Sequence, residues 1–112
     1  MRPYEAMVIF DTGAEEAAVT GVLERALDAL ASGGGAPGRV ERWGRRTFAY
    51  EVQHKREGYY VVIEFLAEPG ALSEMERVFV LADEVIRHKV IRLPDKVAGR
   101  RAAAVGAAAG EG

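Results

Sequence analysis

The side chains that could carry out catalysis or hold a metal ion are few and scattered. The chain has two histidines, His54 and His88, and no cysteine. No serine is placed to form a nucleophile–base pair with either histidine, and neither histidine has neighbours at a zinc-ligand spacing. The glycines at 33–35 lack the following Lys-Ser/Thr of a phosphate-binding loop. The sequence therefore predicts a protein that is not an enzyme and needs no metal or cofactor.

The arginines and lysines are the informative groups, because they are concentrated in two segments. Residues 39–56 hold six basic and two acidic side chains, and residues 87–101 hold six basic and one acidic. The chain as a whole has a net charge of −2, so the remainder carries −11. Such basic segments can neutralise the phosphates of a nucleic acid, or they can simply be solvated strand and loop charges. The net charge alone therefore does not exclude RNA.

Length and composition limit the other function classes. A chain of 112 residues, 49% of them hydrophobic, is the size of one globular domain. No apolar run approaches the roughly 18–20 residues of a membrane helix, and the start does not resemble a signal peptide. We therefore expect no membrane partner, and the lack of cysteine fits a cytoplasmic protein.

The hydrophobic periodicity predicts the order strand, helix, strand, strand, helix, strand. The helices are expected to begin at the cap pairs Thr12–Glu15 and Ser73–Glu76, with a glycine-rich loop at 32–38 and a hairpin loop at 53–58. The long second strand alternates through a glycine, which indicates a bulge near Gly44. The strands are predicted over 2–10, 40–52, 59–66 and 85–93.

This order predicts an α+β fold of ferredoxin-like βαββαβ type, a four-stranded antiparallel sheet with both helices on one face. It spans residues 1–95, and residues 96–112 form an Ala/Gly/Arg-rich tail that is expected to be disordered. Strands two and four become the sheet edges, so the basic charge is expected to form two separate margins. The uncovered face is predicted to be apolar enough to meet a partner. Its residues are Glu5, Met7, Ile9, Tyr60, Val62 and Glu64.

Four blocks of the sequence together resemble one family. They are the start Met-Arg-Pro-Tyr-Glu-Ala-Met-Val-Ile-Phe-Asp, the run Trp-Gly-Arg-Arg-Thr-Phe-Ala-Tyr-Glu-Val at 43–52, Glu-Gly-Tyr-Tyr at 57–60, and Asp-Glu-Val-Ile-Arg-His-Lys-Val-Ile-Arg at 83–92. In this order and spacing they are similar to the bacterial small-subunit (30S) ribosomal protein six family. The resemblance covers residues 1 to about 96 in one register.

The resemblance implies a structural constituent of the small ribosomal subunit in the bacterial cytoplasm. Such a protein binds small-subunit ribosomal RNA together with ribosomal protein eighteen, and it supports assembly of the platform and translation. The resemblance also implies that there is no small-molecule substrate. The alternative reading is a homodimeric ferredoxin-like domain that binds a small molecule, or acts as an enzyme, through the open face.

The resemblance also assigns residues. Matching positions place Arg2, Arg46, Arg87 and Arg92 near RNA, and local charge adds Arg45, Lys55, Arg56 and Lys89. The competing role for Arg46 and Arg87 is ion pairing with carboxylates of the same chain. The partner protein is expected to pack on the open face or its edge, at Trp43, Tyr60 and Val62, with core packing as the alternative for Trp43.

Overall fold

The computed structural model describes residues 1–94 and contains the six predicted elements in the predicted order. The strands pair antiparallel in the spatial order β2-β3-β1-β4, so the ferredoxin-like fold is confirmed and β2 and β4 are the edges. The tail predicted at 96–112 lies outside the described residues. The elements are β1 Arg2–Phe10, α1 Glu16–Ser32, β2 Ala36–Val52, β3 Lys55–Ala67, α2 Pro69–Leu81 and β4 Val85–Arg92.

The core lies between the helices and one face of the sheet. Alternate residues of β1 and β3 point into it, because successive side chains of a strand face opposite sides. The helices contribute fully buried side chains from their apolar stripes, among them Leu30, Met75 and Phe79. The period-two prediction of the inward face is confirmed for Ala6, Val8, Phe10, Val61, Ile63 and Phe65.

The β2–β3 hairpin is longer and more tightly turned than predicted. Gly44 has a φ of +87° where the pairing register shifts, which is the expected bulge. The predicted loop over 53–58 is wrong. Gln53 and His54, with φ of +51° and +62°, make a two-residue turn, and β3 begins at Lys55. Two positive φ angles match the right-handed twist of paired strands, so two residues suffice to reverse the chain.

Both predicted helix caps are wrong. The N-cap of α1 is Glu15, which makes no side-chain capping bond, and Thr12 lies in the preceding turn. The second helix begins at Pro69, because proline fits the first helical position, where no N–H is required. Ser73 therefore lies inside α2, and its hydroxyl donates to the carbonyl of Pro69 at 3.0 Å.

The helices of residues 1–94 are too short or too polar to cross a membrane.

Candidate nucleic-acid interface

The face of the sheet opposite the helices is crossed by regular rows of side chains. Pairing aligns one residue from each of β3, β1 and β4 in every row. The acidic row lies towards the start of β1, and the rows with basic residues lie towards its end. From the start to the end of β1 the rows are Glu64–Glu5–Ile91, Val62–Met7–Lys89 and Tyr60–Ile9–Arg87.

Strand register divides the predicted RNA-contacting cations between the two faces. Arg87 and Lys89 are exposed on the open face of β4. Arg46 pairs with Gly58 and shares the open face with Tyr60 two residues further along β3. Arg45 pairs with Tyr59 and Arg92 with Tyr4, which places both on the side of the sheet that the helices cover. Arg2 is exposed at the start of β1.

Trp43 lies at the bulge of β2, at the rim of the open face. The guanidinium carbon of Arg46 is 5.7 Å from the centre of the Trp43 ring, within the range of a cation–π contact. Because Arg46 is an open-face residue, this contact places the indole on the same side. Trp43 is 42% exposed, so the core-packing reading of this residue is wrong.

The aromatic surface continues along the hairpin through Phe48, which was not among the predicted site residues. The rings of Phe48 and Tyr60 are 6.2 Å apart. A Cβ added at Gly58 would lie 2.9 Å from Phe48 and 2.4 Å from Ile9, so these side chains close over the glycine. Phe48 lies two residues from Arg46 on β2, so the two side chains share a face. This alternation was the signal in the sequence that could have placed Phe48 beside Arg46.

The third predicted partner residue is less accessible than expected. Val62 lies on the open face, but only 4% of it is exposed. Its neighbours across the strands are Met7 and Glu41, whose longer side chains flank it. Tyr60 is partly exposed. The surface available to a partner protein is therefore formed by Trp43 and Tyr60, with little from Val62.

Ion pairs separate the predicted cations into two groups. Three of them face carboxylates: Arg45 with Glu57 at 3.8 Å, Lys55 with Asp11 at 3.1 Å, and Arg56 with Glu51 at 3.7 Å. Such exposed pairs contribute little stability, but each carboxylate competes with a phosphate for the same cation. Within residues 1–94, no ion pair involves Arg2, Arg46, Arg87, Lys89 or Arg92.

The hairpin tip joins the two basic margins, which were predicted to be separate. Beyond Phe10, β1 no longer pairs with β3, so the tip projects as a two-stranded ribbon, and such ribbons twist strongly. The side-chain amide of Gln53 donates to the carbonyl of Ile86 on β4 at 3.0 Å. Lys55 pairs with Asp11 at the end of β1. The tip therefore closes one end of the open face.

Asp11 holds both the turn after β1 and the hairpin tip. Its carboxylate accepts the backbone N–H of Gly13 at 3.0 Å and faces the ammonium of Lys55. The hydrogen bond from Gly13, followed by the contact with Lys55, lowers the pKa of Asp11 below its usual value. The carboxylate is thus ionised at neutral pH and keeps Lys55 in place.

Neither histidine forms a chemical centre. His88 lies 3.1 Å from Glu76 of α2, with its ring centre 5.7 Å from that of Phe79, so it packs between β4 and α2. His54 occupies the hairpin turn. Residues 1–94 bring together no group of three or more metal-ligating side chains.

The open face thus carries the rings of Trp43 and Tyr60 beside cations on both edge strands. A family model described as Ribosomal protein S6 matches residues 3–92. The chain belongs to the ribosomal protein S6 family. The chain is 40% identical over 96 residues to the small ribosomal subunit protein bS6 of Moorella thermoacetica, covering 86% of this chain and 98% of that protein. It is 46% identical over 92 residues to the bS6 of Mycolicibacterium paratuberculosis, covering 82% and 96%.

Two solved structures agree with the fold, one of them from the ribosomal protein S6 family. The crystal structure of 30S ribosomal protein S6 from Thermotoga maritima aligns with a TM-score of 0.79 at 33% identity, over 91% of this chain and 96% of that one. The C-terminal domain of MgtC from Mycobacterium tuberculosis aligns with a TM-score of 0.56 at 14% identity and shares the fold alone.

Membership of the S6 family confirms several predictions. The family assignment, the class of small-subunit ribosomal protein and the location in the bacterial cytoplasm, on the ribosome, are as expected. The residues that contact RNA or a partner protein stay predictions.

Proposed function

We propose that this chain is a noncatalytic constituent of the small ribosomal subunit that binds small-subunit ribosomal RNA together with ribosomal protein eighteen. In this role it supports assembly of the platform and thereby translation. The observation that carries the proposal is the set of cations without an ion pair within residues 1–94, of which Arg46, Arg87 and Lys89 share the open face.

The RNA contacts in this proposal are contacts to phosphates. Arg87 and Lys89 extend from an edge strand, and Arg46 extends from the opposite edge. Arginine and lysine need only charge and reach to neutralise phosphates, and each neutralised phosphate releases condensed counterions. Because few cations are involved, the isolated chain is expected to bind RNA weakly and to lose affinity steeply as salt rises.

The protein contact in this proposal lies at Trp43 and Tyr60. The exposed indole of Trp43 and the neighbouring rings of Tyr60 and Phe48 offer the large aromatic area that is enriched at protein interfaces. The acidic remainder of the chain favours a basic partner, which improves the encounter rate and the choice of partner more than the affinity. Ribosomal protein eighteen is the partner that the family resemblance implies.

Sedimentation with small ribosomal subunits tests the RNA part. We expect the double variant Arg46→Glu/Arg87→Glu to stop sedimenting with subunits that lack the native copy. The double variant Arg25→Glu/Arg77→Glu, at two exposed cations on the helices, is the charge-matched control and should sediment normally. Equal sedimentation of the double variant and the control would contradict the proposal.

Filter binding tests the need for a partner. Affinity for a fragment of the small-subunit RNA should rise when ribosomal protein eighteen is added, and Trp43→Ala should remove that increase without changing binding by the isolated chain. Tight binding by the isolated chain that does not respond to salt would contradict this part.

The alternative is a homodimeric domain that binds a small molecule or acts as an enzyme through the open face. Light scattering separates the two, since a protein that keeps this face for RNA and a different partner should be a monomer. An obligate homodimer that buries Trp43 and Tyr60 would favour the alternative.

A further inference from the structure

The β2–β3 hairpin carries a wide bulge just before its turn. The pairs Thr47–Glu57 and Val52–Lys55 flank the bulge, so four residues of β2 oppose one residue of β3. Extra residues in one strand of a pair bend that strand and leave the ladder locally unpaired. A cleft of about 320 Å³ lies at this bend. Its lining residues are Thr47, Phe48, Ala49, Tyr50, Glu51 and Arg56.

Tyr50 places a free aromatic ring at the cleft. It is 73% exposed, more than any other large apolar or aromatic residue within 1–94. Among the same residues its side chain makes no hydrogen bond and no ring contact. An aromatic side chain stabilises a fold mainly through the area that it buries, so this ring contributes little to stability. Its face is available to a ligand.

Phe48 is the second ring of the cleft, and it is held in place. Its ring centre is 6.2 Å from that of Tyr60, and the ring closes over Gly58. Phe48 is half-buried as a result. The cleft therefore combines one ring that is fixed against the open face with one ring, that of Tyr50, that has no contact of this kind.

Arg56 supplies a positive charge that is only weakly held. Its side chain is 86% exposed, and its Nε lies 3.7 Å from a carboxylate oxygen of Glu51. An exposed ion pair of this length contributes little stability, so a ligand can draw the guanidinium away from Glu51 at small cost. The planar guanidinium can stack on a ring system and can also bind a phosphate.

These groups suit an unpaired base of RNA. Proteins recognise single-stranded RNA by stacking its bases on aromatic side chains and on arginine planes. The volume of the cleft is within the range of about 300–1,000 Å³ that is typical of small-ligand sites. A free ring, a fixed ring and a weakly paired guanidinium around one cleft therefore favour a flat, aromatic ligand with a negative charge beside it.

The position of the cleft agrees with this ligand. The turn that follows the bulge is bonded to β4, because the amide of Gln53 donates to the carbonyl of Ile86 at 3.0 Å. Ile86 precedes Arg87, a cation of the open face that pairs with no carboxylate within residues 1–94. An RNA strand whose phosphates contact the basic margins therefore passes the hairpin tip.

We propose that the cleft at this bulge binds one unpaired base of ribosomal RNA, which stacks on the ring of Tyr50 while the guanidinium of Arg56 contacts the same nucleotide. This inference rests on the proposed RNA binding and adds one base contact to the phosphate contacts of the edge strands. Phosphate contacts position a protein on RNA without reading the bases. The Tyr50 contact makes binding depend on an unpaired base.

Affinities of variants of the full chain for a fragment of small-subunit RNA, with ribosomal protein eighteen present, test the site. Tyr50→Ala should lower the affinity about 5- to 150-fold, the range for loss of one stacked base. Tyr50→Phe keeps the ring and should bind like the native chain. The salt dependence should not change in Tyr50→Ala, because no charge is removed. Leu81→Ala, at an exposed residue ending α2, is the control and should bind normally.

Removal of single bases from the RNA identifies the ligand. Each unpaired nucleotide of the fragment is replaced in turn by an abasic nucleotide, which keeps its phosphate. We expect one abasic RNA to bind the native chain as weakly as the intact RNA binds Tyr50→Ala. Combining that abasic RNA with Tyr50→Ala should cause no further loss, because both changes remove the same stack.

Two outcomes would overturn the base site alone. One is native affinity in Tyr50→Ala while Arg87→Gln still reduces the salt dependence, which leaves the proposed function standing. The other is a loss in Tyr50→Ala that no abasic RNA reproduces, which would identify a protein contact at the hairpin tip. A native chain that does not bind the RNA fragment would contradict the proposed function, and this inference with it.

Discussion

The side-chain amide of Gln53 donates a 3.0 Å hydrogen bond to the main-chain carbonyl of Ile86. Gln53 lies in the turn that joins β2 to β3, and Ile86 lies on β4, at the opposite edge of the sheet. The strand order alone would leave the two basic edges on opposite margins. This bond, with the Lys55–Asp11 pair beside it, draws the hairpin tip across the end of β1 to β4. The basic residues of β2 and β4 therefore face a common end of the sheet.

Shortening the Gln53 side chain should release the hairpin tip. We expect Gln53→Asn to lose the bond to Ile86 while keeping the positive φ, which asparagine tolerates. A typical hydrogen bond contributes about 1 kcal/mol, so global stability should change little. Amide hydrogen exchange in the hairpin tip should accelerate. His54→Asn, the neighbouring change in the same turn, should leave exchange as it is, and equal acceleration in both variants would contradict the role of Gln53.

The salt dependence of RNA binding should distinguish paired from unpaired cations. Replacing Arg87 by Gln should reduce the slope of log K against log salt by about 0.7–0.9, the value for one lost phosphate contact. Arg45→Gln should reduce it much less, since Arg45 faces Glu57 and lies on the helix side of the sheet. Fluorescence anisotropy with labelled ribosomal RNA, in the presence of ribosomal protein eighteen, measures both slopes. Equal reductions would show that the ion pairs do not select among the cations.

Adding one methyl group at Gly58 should disturb the open face. The new Cβ would lie 2.4 Å from Ile9 and 2.9 Å from Phe48, so Gly58→Ala should lower the free energy of unfolding by about 1–3 kcal/mol. Gly70→Ala is the control, because nothing lies within 4 Å of that position near the start of α2. The control should be neutral or stabilise by up to about 1 kcal/mol. Urea unfolding compares the two, and equal stabilities would mean that Phe48 and Ile9 move aside without cost.

Protonation of Asp11 should contribute to the loss of stability in acid. The N–H of Gly13 and then Lys55 lower the pKa of Asp11 in the folded state. Because the folded pKa lies below the unfolded value of about 3.9, the stabilisation is complete above that value. It is lost as pH falls through the folded pKa. Asp11→Asn should therefore reduce stability at neutral pH and flatten its decline in acid.

Chemical denaturation at a series of pH values measures this effect. Asp28→Asn removes the same charge from an exposed position on α1 and serves as the control. A decline in acid that is as steep in the Asp11 variant as in the native chain would exclude this carboxylate as its source.

The local pattern predicted most of the fold. Alternation in β1 and β3 identified the buried side, since the side-chain period of a strand is a property of the backbone and needs no distant partner. The bulge at Gly44 followed for the same reason. The starts of the helices were not predicted correctly. Pro69 begins α2, but the polar pair Ser73–Glu76, which lies further along the helix, also resembles a capping box.

The residue types of the candidate site could be predicted from the sequence. Which of those side chains are exposed and which are covered could be predicted much less well. Parity places Tyr60 on the open face, and the uneven charge along the chain is visible without any structure. Arg46 lies on that face because the bulge at Gly44 reverses the alternation of β2. The covering of Val62 and the exposure of Trp43 are set by neighbours on other strands and by the twist of β2 at the bulge. A single sequence does not record these neighbours.

The sequence by itself determined the family, the order of the elements and which side chains face the helices, because each depends on short-range pattern. Only the tertiary structure decided which cations are held by carboxylates. Asp11 meets Lys55, and Gln53 meets Ile86, across segments that are far apart in the chain. These contacts arise because the β2–β3 ribbon extends past the end of β1 and twists. They therefore depend on the length of the strands and on their twist together. The two basic margins therefore meet at one end of the sheet, although the strand order alone keeps them apart.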